Sequence, residues 1–461
     1  MIIFGLMCSN YVIKKAFKYK RKVGLCMSFF MNSIPVPTRK NTAHKPSVQM
    51  GNVKVVTLPM QMHIGEPATP VVKMGDLVKV GTLIAKENGE LSSPIYSSIS
   101  GKVTKIADYV TASGKTVPAV VITSDGEMAR EEFQPPVVNT REDLIGAIMN
   151  SGVVGLGGAG FPTSFKFDVD FSQLEVLIVN GTECEPFITS DDHTMNEKSA
   201  DIEHALKTFQ KYFGIKRIII GVGDNKDSAI EKMEEVASHV LGAEVVPFPS
   251  TYSHGSEEAI IYHTLDKVLS ADQHPIDLGC LVVNVSTIAA IGNYLKTGMP
   301  LVERFVTVDG ACVTNAGCII VPIGVSLAEL IEFCGGLNGE PEKVVVGGPM
   351  MGISVPTLDT PVLKTTNAVL VLSEAQTRFP KETACIRCGK CTNNCPLGLA
   401  PAAIEKAYKQ KDTERLEKLV VNACMECGSC AYLCPAHRPL VQTNKLAKML
   451  LANEKAKEAN N

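Results

Sequence analysis

The stretch C-I-R-C-G-K-C-T-N-N-C-P, residues 385–396, is repeated along the chain as C-M-E-C-G-S-C-A-Y-L-C-P, residues 424–435. Both stretches have the spacing C-x2-C-x2-C-x3-C-P, which holds a [4Fe–4S] cluster in bacterial ferredoxins. A cluster needs four soft thiolates around one small cube, and the tight C-x-x-C-x-x-C turns supply three of them. The repeat therefore predicts two [4Fe–4S] clusters, and with them the transfer of single electrons.

The fourth cysteine of each stretch is predicted to bind the other cluster, as in two-cluster ferredoxins. A pair of zinc knuckles or disulfides is the alternative, but zinc sites usually have one C-x2-C pair, a long spacer and a second pair. The close order of four cysteines in each half favours clusters. The two predicted ligand sets are Cys385, Cys388, Cys391 and Cys434 for one cluster, and Cys424, Cys427, Cys430 and Cys395 for the other.

Length and composition indicate an ordinary globular protein with several domains. The chain has 461 residues, which at roughly 150 residues per domain suggests about three or more domains. It is 45% hydrophobic and 20% charged, and its net charge of -3 gives no reason to expect nucleic acid as a partner. The remaining seven of the 15 cysteines are scattered without ligand spacing, which together with the cluster motifs indicates a reducing cytosol.

The first 34 residues form a basic extension. Six basic residues lie between Lys14 and Lys22, among apolar side chains and without any acid. Three interpretations stay open: a basic amphipathic contact with a membrane surface, a disordered extension, or a start codon placed too early, upstream of Met27 or Met31. No run is long and apolar enough for a membrane helix, which needs about 20 residues.

Short alternating runs follow over residues 53–125, which are rich in Val, Ile, Gly and Pro. The pairs of short strands predicted there, around 71–81 and 93–103, resemble biotinyl and lipoyl carrier domains. Carrier domains present a modified lysine at a hairpin tip, whereas here the tip reads Ser98-Ile99-Ser100 and Lys102 comes after a glycine. The pattern therefore predicts a scaffold domain without a swinging arm.

A glycine-rich loop, G-L-G-G-A-G-F-P-T at 155–163, comes after the linker Pro135-Pro136. Glycines let the backbone approach a ligand, and successive N–H groups can cradle phosphate, although such a loop alone is a weak signal. The next predicted strand ends in the polar cluster N-G-T-E-C-E-P at 180–186. Polar groups at the carboxyl end of a strand are where open α/β sheets bind ligands.

Alternating helices and strands over 196–290 predict a parallel sheet. After Pro300 the pattern changes and predicts a compact unit of strands and one helix. Ser326 is predicted to cap that helix, with Glu329 at the capping-box position. Residues 401–420 are predicted to form a helix pair or one broken helix, and the tail to be helical and then polar. The predicted divisions are a basic extension (1–34), a carrier-like domain (35–134), an α/β domain (135–300), a β unit (301–360), the cluster domain (361–445) and a polar tail (446–461).

This order of motifs resembles a known family, the C subunit of the Rnf (Rsx) ferredoxin–NAD oxidoreductase complex. The resemblance covers roughly residues 35–445 and rests on the carrier-like domain, Gly-Gly-Ala-Gly-Phe-Pro-Thr, Glu-Cys-Glu-Pro, Gly-Gly-Pro-Met-Met-Gly and the paired cluster motifs. The central domain is also similar to the flavin- and NADH-binding subunit of respiratory complex I. The resemblance implies a multidomain α/β chain with a β barrel-sandwich hybrid, a complex I flavoprotein-like α/β domain, a soluble-ligand-binding β-grasp unit and a two-cluster ferredoxin-like α-helical domain.

The resemblance also implies non-covalent FMN and NAD(H) in the central domain. By motif position the glycines line the flavin and nucleotide phosphates, Phe161 stacks near the nicotinamide or adenine, and Lys166 pairs with phosphate. The acidic loop holds flavin and ribose hydroxyls, Glu257 faces the nucleotide, and Asn284 lies beneath the flavin phosphate. The implied cofactor-binding residues are Gly155, Gly157, Gly158, Gly160, Phe161, Lys166, Asn180, Glu183, Glu185, Glu257 and Asn284.

Three functions follow from the resemblance and from this chain's departures from it. The first is a peripheral, NADH-linked subunit on the cytoplasmic face of the membrane, with other Rnf subunits and ferredoxin-type proteins as partners. The second is a soluble carrier for a dedicated reductase such as proline reductase, and the third a ferredoxin-like adaptor. Glu258, where the family often has lysine, would repel a dinucleotide phosphate and favours the latter two. The glycine loop with Glu183 and Glu185 favours the first.

Overall fold

The computed structural model describes residues 32–111, 114–270 and 273–459. These residues divide into two compact units, a larger one from Val36 to Arg378 and a smaller one that joins the segment before Val36 to the chain from Phe379 onward. The predicted basic extension lies outside the described residues, apart from residues 32–34. Within the described part of the chain, no helix combines the length and the hydropathy needed to cross a membrane.

The N-terminal part of the larger unit is built from short strands, in agreement with the prediction. They are β1 Val48–Gln49, β2 Val55–Pro59, β3 Thr69–Pro70, β4 Leu77–Val78, β5 Leu83–Lys86, β6 Ile95–Tyr96, β7 Gly101–Val110 and β8 Thr116–Ser124. Two antiparallel sheets form, in the orders β2-β8-β7-β4 and β3-β5-β6. Ser98 and Ser100 are buried, so the place of a carrier lysine is inside the protein and offers no swinging arm.

The α/β domain carries a parallel sheet, as predicted. Its elements are α1 Arg141–Asn150, α2 Thr163–Lys166, β9 Val176–Gly181, α3 Ser190–Glu197, α4 Ser199–Phe213, β10 Ile218–Gly223, α5 Asp227–His239, β11 Ala243–Phe248, α6 Glu257–Leu265, β12 Cys280–Asn284 and α7 Val285–Thr297. The sheet order is β11-β10-β9-β12, and all neighbours are parallel. The strand order reverses between β9 and β12, and ligands of open α/β sheets bind at the carboxyl ends of such a pair.

The β-grasp part contains β13 Glu303–Asp309, β14 Gly317–Pro322, α8 Leu327–Phe333, β15 Lys343–Val346, β16 Ile353–Ser354, β17 Ala368–Leu372 and α9 Glu374–Thr377. Its sheet has the order β1-β14-β13-β17-β15-β16. Ser326 caps α8 by accepting from the Glu329 N–H, but the Glu329 carboxylate accepts from the Lys54 N–H instead of closing a capping box. Because β17 pairs with β13 and β15, this unit continues past the predicted boundary at residue 360, to Arg378.

The smaller unit is helical. Its helices are α10 Lys390–Asn393, α11 Pro401–Lys409, α12 Thr413–Lys418, α13 Ser429–Tyr432 and α14 Leu440–Ala459, so the segment after Pro401 is a helix pair. The predicted polar tail continues instead as α14. Ala447 and Leu451 on α14 are buried against Ile404, Leu416 and Val421, because their spacing of four residues places them on one face of the helix.

Candidate functional site

The glycine-rich loop is closed at its base and open at its tip. The Gly155 N–H donates to the Phe161 carbonyl at 2.8 Å, and the Gly160 N–H donates to the Gly155 carbonyl at 3.0 Å. Residues 157–159 at the tip are exposed, while Phe161 is half-buried. The tip is therefore accessible to a ligand, and the stacking role of Phe161 stays a prediction.

Backbone conformation favours glycine at two positions of this loop, and a third glycine lies close to Asn284. Gly158 and Gly160 have φ of 105° and 69°, where side chains other than glycine are strained. A Cβ at Gly157 would lie 3.1 Å from Asn284 Nδ2. The loop tip thus rests beside the carboxyl end of β12, at the edge of the sheet where the strand order reverses.

Asn180 connects the end of β9 to the loop that precedes α6. Its Nδ2 donates to the Gly255 carbonyl at 3.0 Å, and its Oδ1 accepts from the Thr182 N–H at 3.2 Å and from the Thr182 hydroxyl at 2.8 Å. The side chain is therefore held in one orientation at the crevice.

Glu183 places one unpartnered carboxylate oxygen in the same region. Its Oε1 accepts from the Asp191 N–H at 2.7 Å, whereas the buried Oε2 has no hydrogen-bond partner and lies 3.9 Å from Lys40 Nζ. Burial raises the pKa of Glu183, which the positive charges of Lys40 and Lys226 oppose. An unpaired buried acceptor is costly, so this oxygen suits a ligand that brings a donor such as a hydroxyl or a ring N–H.

Glu185 contacts the β-grasp part, which differs from its predicted role at the flavin. Its carboxylate accepts from the Met350 N–H at 3.1 Å and from the Met351 N–H at 2.9 Å. Burial raises the pKa of Glu185 to about 7, although these two N–H groups favour the charged form. Glu185 therefore holds the Gly-Gly-Pro-Met-Met-Gly loop against the polar cluster at 180–186.

Lys166 and Glu257, two predicted nucleotide residues, contact each other. Lys166 Nζ lies 2.9 Å from Glu257 Oε1 and donates to the Val282 carbonyl at 2.7 Å. The prediction instead paired Lys166 with phosphate. Both side chains are about a third exposed, at 30% and 36%, and ion pairs of this kind contribute little, so a phosphate can compete for the ammonium group.

Both polar groups of the Asn284 side chain form hydrogen bonds within the protein. Its Oδ1 accepts from the Thr287 N–H at 3.2 Å and so caps α7. Its Nδ2 donates to Asp191 Oδ2 at 2.8 Å. Burial, together with the negative charge of the nearby Glu183, raises the pKa of Asp191 to about 6.

Three residues that the sequence did not single out are part of this arrangement. Besides Asp191, they are Arg304, whose Nη2 donates to the Leu156 carbonyl at 2.8 Å, and Lys40, which contacts the loop at 183–188. Burial lowers the pKa of Arg304 to about 10. Arg304 and Lys40 come from parts of the sequence outside the α/β domain, so no local pattern marked them.

Glu258, the departure from the family pattern, is half-buried. Burial raises its pKa, which increases the fraction of neutral carboxyl at a given pH. The repulsion between Glu258 and a dinucleotide phosphate stays a prediction.

In the smaller unit, one predicted ligand set surrounds a single cavity. Cys395, Cys424, Cys427 and Cys430 all line it, together with apolar residues such as Leu397. These four are the thiols of the second predicted cluster, including the cysteine contributed by the first stretch. The exchange of the fourth ligand between the two stretches therefore agrees with the packing.

The other ligand set is more open. Cys385 and Cys388 are exposed, while Cys391 and Cys434 are half-buried. Among the described residues, no three His, Cys, Asp or Glu side chains converge where one metal ion could bind. The four irons of a cluster occupy separate corners of a cube, so its thiolates surround a volume rather than a point, and the lined cavity fits that requirement.

The fold and these contacts can be compared with known proteins. Family models match over residues 29–127 (RnfC Barrel sandwich hybrid domain), 148–293 (Nuo51 FMN-binding domain), 305–354 (SLBB domain) and 379–435 (4Fe-4S dicluster domain). The predicted fold class is thereby confirmed, as are the predictions of FMN and of two [4Fe–4S] clusters.

Relatives that match over most of the chain agree. The chain is 36% identical to the C subunit of the Na(+)-translocating ferredoxin:NAD(+) oxidoreductase complex of Acetobacterium woodii, over 83% of this chain and 88% of the relative. It is 37% identical to the C subunit of the proton-translocating ferredoxin:NAD(+) oxidoreductase complex of Clostridium ljungdahlii, over 82% of this chain and 83% of the relative. The C subunit of the ion-translocating oxidoreductase complex of Rhodobacter capsulatus is 37% identical, over 88% of this chain and 79% of the relative.

These relatives give no support to the alternative of a carrier for proline reductase. They confirm the resemblance derived from the motifs, and over most of its length the chain therefore belongs to the family of C subunits of ion-translocating oxidoreductase complexes.

Proposed function

We propose that this chain is the electron-transfer subunit of an ion-translocating ferredoxin:NAD+ oxidoreductase, passing electrons between NAD(H), FMN and two [4Fe–4S] clusters. The observation that carries the proposal is the presence, in one chain, of an FMN-binding type of domain, whose glycine loop lies beside Asn284 at the end of β12, and of a cavity lined by four cysteine thiols. When bound, FMN accepts the electron pair of a hydride and exchanges single electrons with the clusters.

The residues of the crevice bind and orient rather than transfer protons. Gly157 lets a ligand and Asn284 approach the same loop closely. Asn180 is fixed by its hydrogen bonds, and Glu183 offers an acceptor with no partner in the protein. No side chain has to act as a general acid or base in this proposal.

In the smaller unit, polar side chains lie near the cysteine sulfurs of the second predicted ligand set. Asn444 Nδ2 lies 3.4 Å from Cys424 Sγ, and Ser429 Oγ lies 3.4 Å from Cys427 Sγ. Hydrogen bonds to sulfur and exclusion of water are the means by which a protein sets cluster potentials.

Other subunits of the same complex are the proposed partners, together with a ferredoxin-type protein, because the relatives in Acetobacterium woodii and Clostridium ljungdahlii are named as parts of ferredoxin:NAD(+) oxidoreductase complexes. We place the chain in the cytoplasm, peripheral to the membrane. The six basic residues between Lys14 and Lys22 support this location, since clustered lysines are attracted to anionic lipid surfaces.

An anaerobic NADH titration of protein with known iron and flavin content tests the proposed function. NADH is expected to bleach both the flavin and the cluster absorbance. Bleaching by dithionite with no response to NADH would refute the NADH-linked function and leave a carrier that receives electrons from another protein. A flavin content near zero would leave only the adaptor function.

A matched pair of variants tests the crevice itself. Gly157→Ala adds a methyl group against Asn284 at the loop tip and should lower FMN retention and the NADH response, while dithionite still reduces the clusters. Gly146→Ala is the control, because a Cβ there meets nothing within 4 Å. Equal FMN retention in both variants would contradict the placement of FMN at this loop.

A further inference from the structure

A strap of chain, residues 36–50, runs along the α/β domain and the β-grasp sheet within the larger unit. On the α/β side, the Thr42 and Thr189 hydroxyls lie 2.6 Å apart. On the β-grasp side, Asn41 Nδ2 donates to Asp309 Oδ2 at 3.1 Å, and β1 pairs in parallel with β14. The strap is therefore fixed on both sides of its central lysine.

That lysine, Lys40, donates all of its hydrogen bonds to one loop. Its Nζ lies 2.8 Å from the Glu183 carbonyl, 3.0 Å from the Glu185 carbonyl and 2.5 Å from the Ile188 carbonyl. The side chain is 13% exposed. Lysines are rarely buried to this extent unless they are paired, and the ionic partner of Lys40, Glu183 Oε2, lies 3.9 Å away, beyond hydrogen-bond distance.

A second buried lysine acts on the same loop. Lys226 is 4% exposed, and its Nζ donates to the Thr182 carbonyl at 2.9 Å. Two ammonium groups therefore hold four carbonyls between residues 182 and 188. This is the loop whose Glu183 borders the proposed flavin site.

Glu183 and Asp192 are the carboxylates whose negative charges act on both lysines. The carboxylate that forms an ion pair with Lys40 is Glu183, whose Oε2 lies 3.9 Å away and accepts no hydrogen bond. Burial lowers the pKa of Lys40 to about 8, although Glu183 opposes that shift. A neutral donor could hold the carbonyls without this cost, but it would not add positive charge for a ligand bound at this loop.

We propose that Lys40, assisted by Lys226, is a positioning residue for the FMN site, which fixes the 182–188 loop and lends positive charge to the anionic groups of the bound flavin. This inference rests on the proposed function. It adds a residue from outside the α/β domain that acts through the loop and makes no contact with the substrate. Positive charge close to a flavin favours its reduced, more negative forms.

Two readouts on the full chain test the inference, FMN affinity from fluorescence titration and the midpoint potential of the bound flavin. Lys40→Met should bind FMN about tenfold more weakly, as expected when a charged hydrogen-bonding group is lost, and should shift the flavin potential to more negative values. Lys40→Arg, which keeps the charge, should recover most of both. Lys45→Met is the matched control, because Lys45 is an exposed lysine of the same strap that donates to the Ala316 carbonyl.

A folded Lys40→Met protein with wild-type affinity and potential would overturn the inference, and so would equal shifts in Lys40→Met and Lys40→Arg, which indicate a packing effect. If Lys40→Met does not fold, Lys226→Met takes its place, with a smaller negative shift of the potential expected and an unchanged potential overturning the inference.

The wild-type measurement separates this inference from the proposed function. A wild-type protein that binds no FMN refutes both. If the wild-type protein binds FMN and responds to NADH, and Lys40→Met has the same FMN affinity and flavin potential, only the role of Lys40 is refuted.

Discussion

The two cysteine stretches have the same spacing but different surroundings. Cys388 and Cys391 of the first stretch are exposed and half-buried, whereas Cys427 and Cys430 at the corresponding positions of the second are 8% and 9% exposed. The local backbone is the same in both, since Gly389 and Gly428 have φ of 75° and 80°. The motif therefore determines the turn, and the packing around it determines how much water reaches the thiols.

Helix α14 accounts for much of the difference. Val441 and Asn444 of this helix line the cavity of the second ligand set, and Lys448 Nζ donates to the Cys424 carbonyl at 2.6 Å. The predictions below test whether this cover makes the two halves chemically unequal.

The largest effect is expected from removal of a ligand. Cys430→Ala and Cys388→Ala should each lose about half of the iron, because each removes one of two clusters. Cys430→Ala should also lower the melting temperature of the cluster unit more, since its thiol is packed in the interior. Iron analysis and thermal unfolding measure both effects, and equal melting temperatures would contradict the difference in burial.

Cys395→Ala checks the exchange of ligands between the stretches. Its remaining cluster should have the same electron paramagnetic resonance spectrum as that of Cys430→Ala, because both thiols line one cavity. A spectrum identical to that of Cys388→Ala would refute the exchange.

The next effect concerns the chain that leads into the exposed stretch. Arg438 donates to both carboxylate oxygens of Glu405, with Nε to Oε2 at 2.7 Å, and its Nη1 donates to the Thr383 carbonyl at 3.0 Å. Arg438→Gln leaves Glu405 paired with Lys409 alone, whose Nζ lies 3.0 Å from Oε1, and should destabilise the unit by about 2 kcal/mol, the scale of a lost hydrogen bond to a charged group. Denaturant unfolding measures this, and Arg415→Gln at an exposed position is the control. A loss no larger than that of the control would show that the pair is dispensable.

A smaller effect is expected on the potential of the buried cluster. Asn444→Leu removes the N–H donor 3.4 Å from Cys424 Sγ and should make that potential roughly 40 mV more negative, the one-electron equivalent of about 1 kcal/mol. A redox titration followed by electron paramagnetic resonance measures the shift. Asn453→Leu, at an exposed position of the same helix, should leave both potentials unchanged.

The smallest effect comes from the partly exposed ion pairs of α14. Lys448 Nζ lies 2.9 Å from Glu426 Oε1, with side chains 27% and 30% exposed, and Lys448→Met should destabilise the unit by about 1 kcal/mol or less. Lys445→Met, whose pair is longer at 3.5 Å and more exposed, should have less effect. A larger loss in Lys445→Met would contradict this order.

The α/β domain shows how far local patterns extend. The alternating helices and strands predicted over 196–290 appear in the structure, α4 and β10 among them, because buried β-branched runs and a 3.6-residue apolar period are local signals. Glu185 and Lys166 were placed at the cofactor by motif position alone, yet their partners are the Met350 and Met351 N–H groups and Glu257. Motif position could not reveal contacts with residues so far away along the chain.

The sequence by itself determined the two cluster motifs, the order of the domains and the glycine loop, because cysteine spacing, glycine conformation and hydrophobic period act over a few residues. Only the tertiary structure decided that α14 covers one half and that Lys40 reaches the 182–188 loop. Burial and electrostatic environment depend on which distant segments pack together, and no local spacing encodes that.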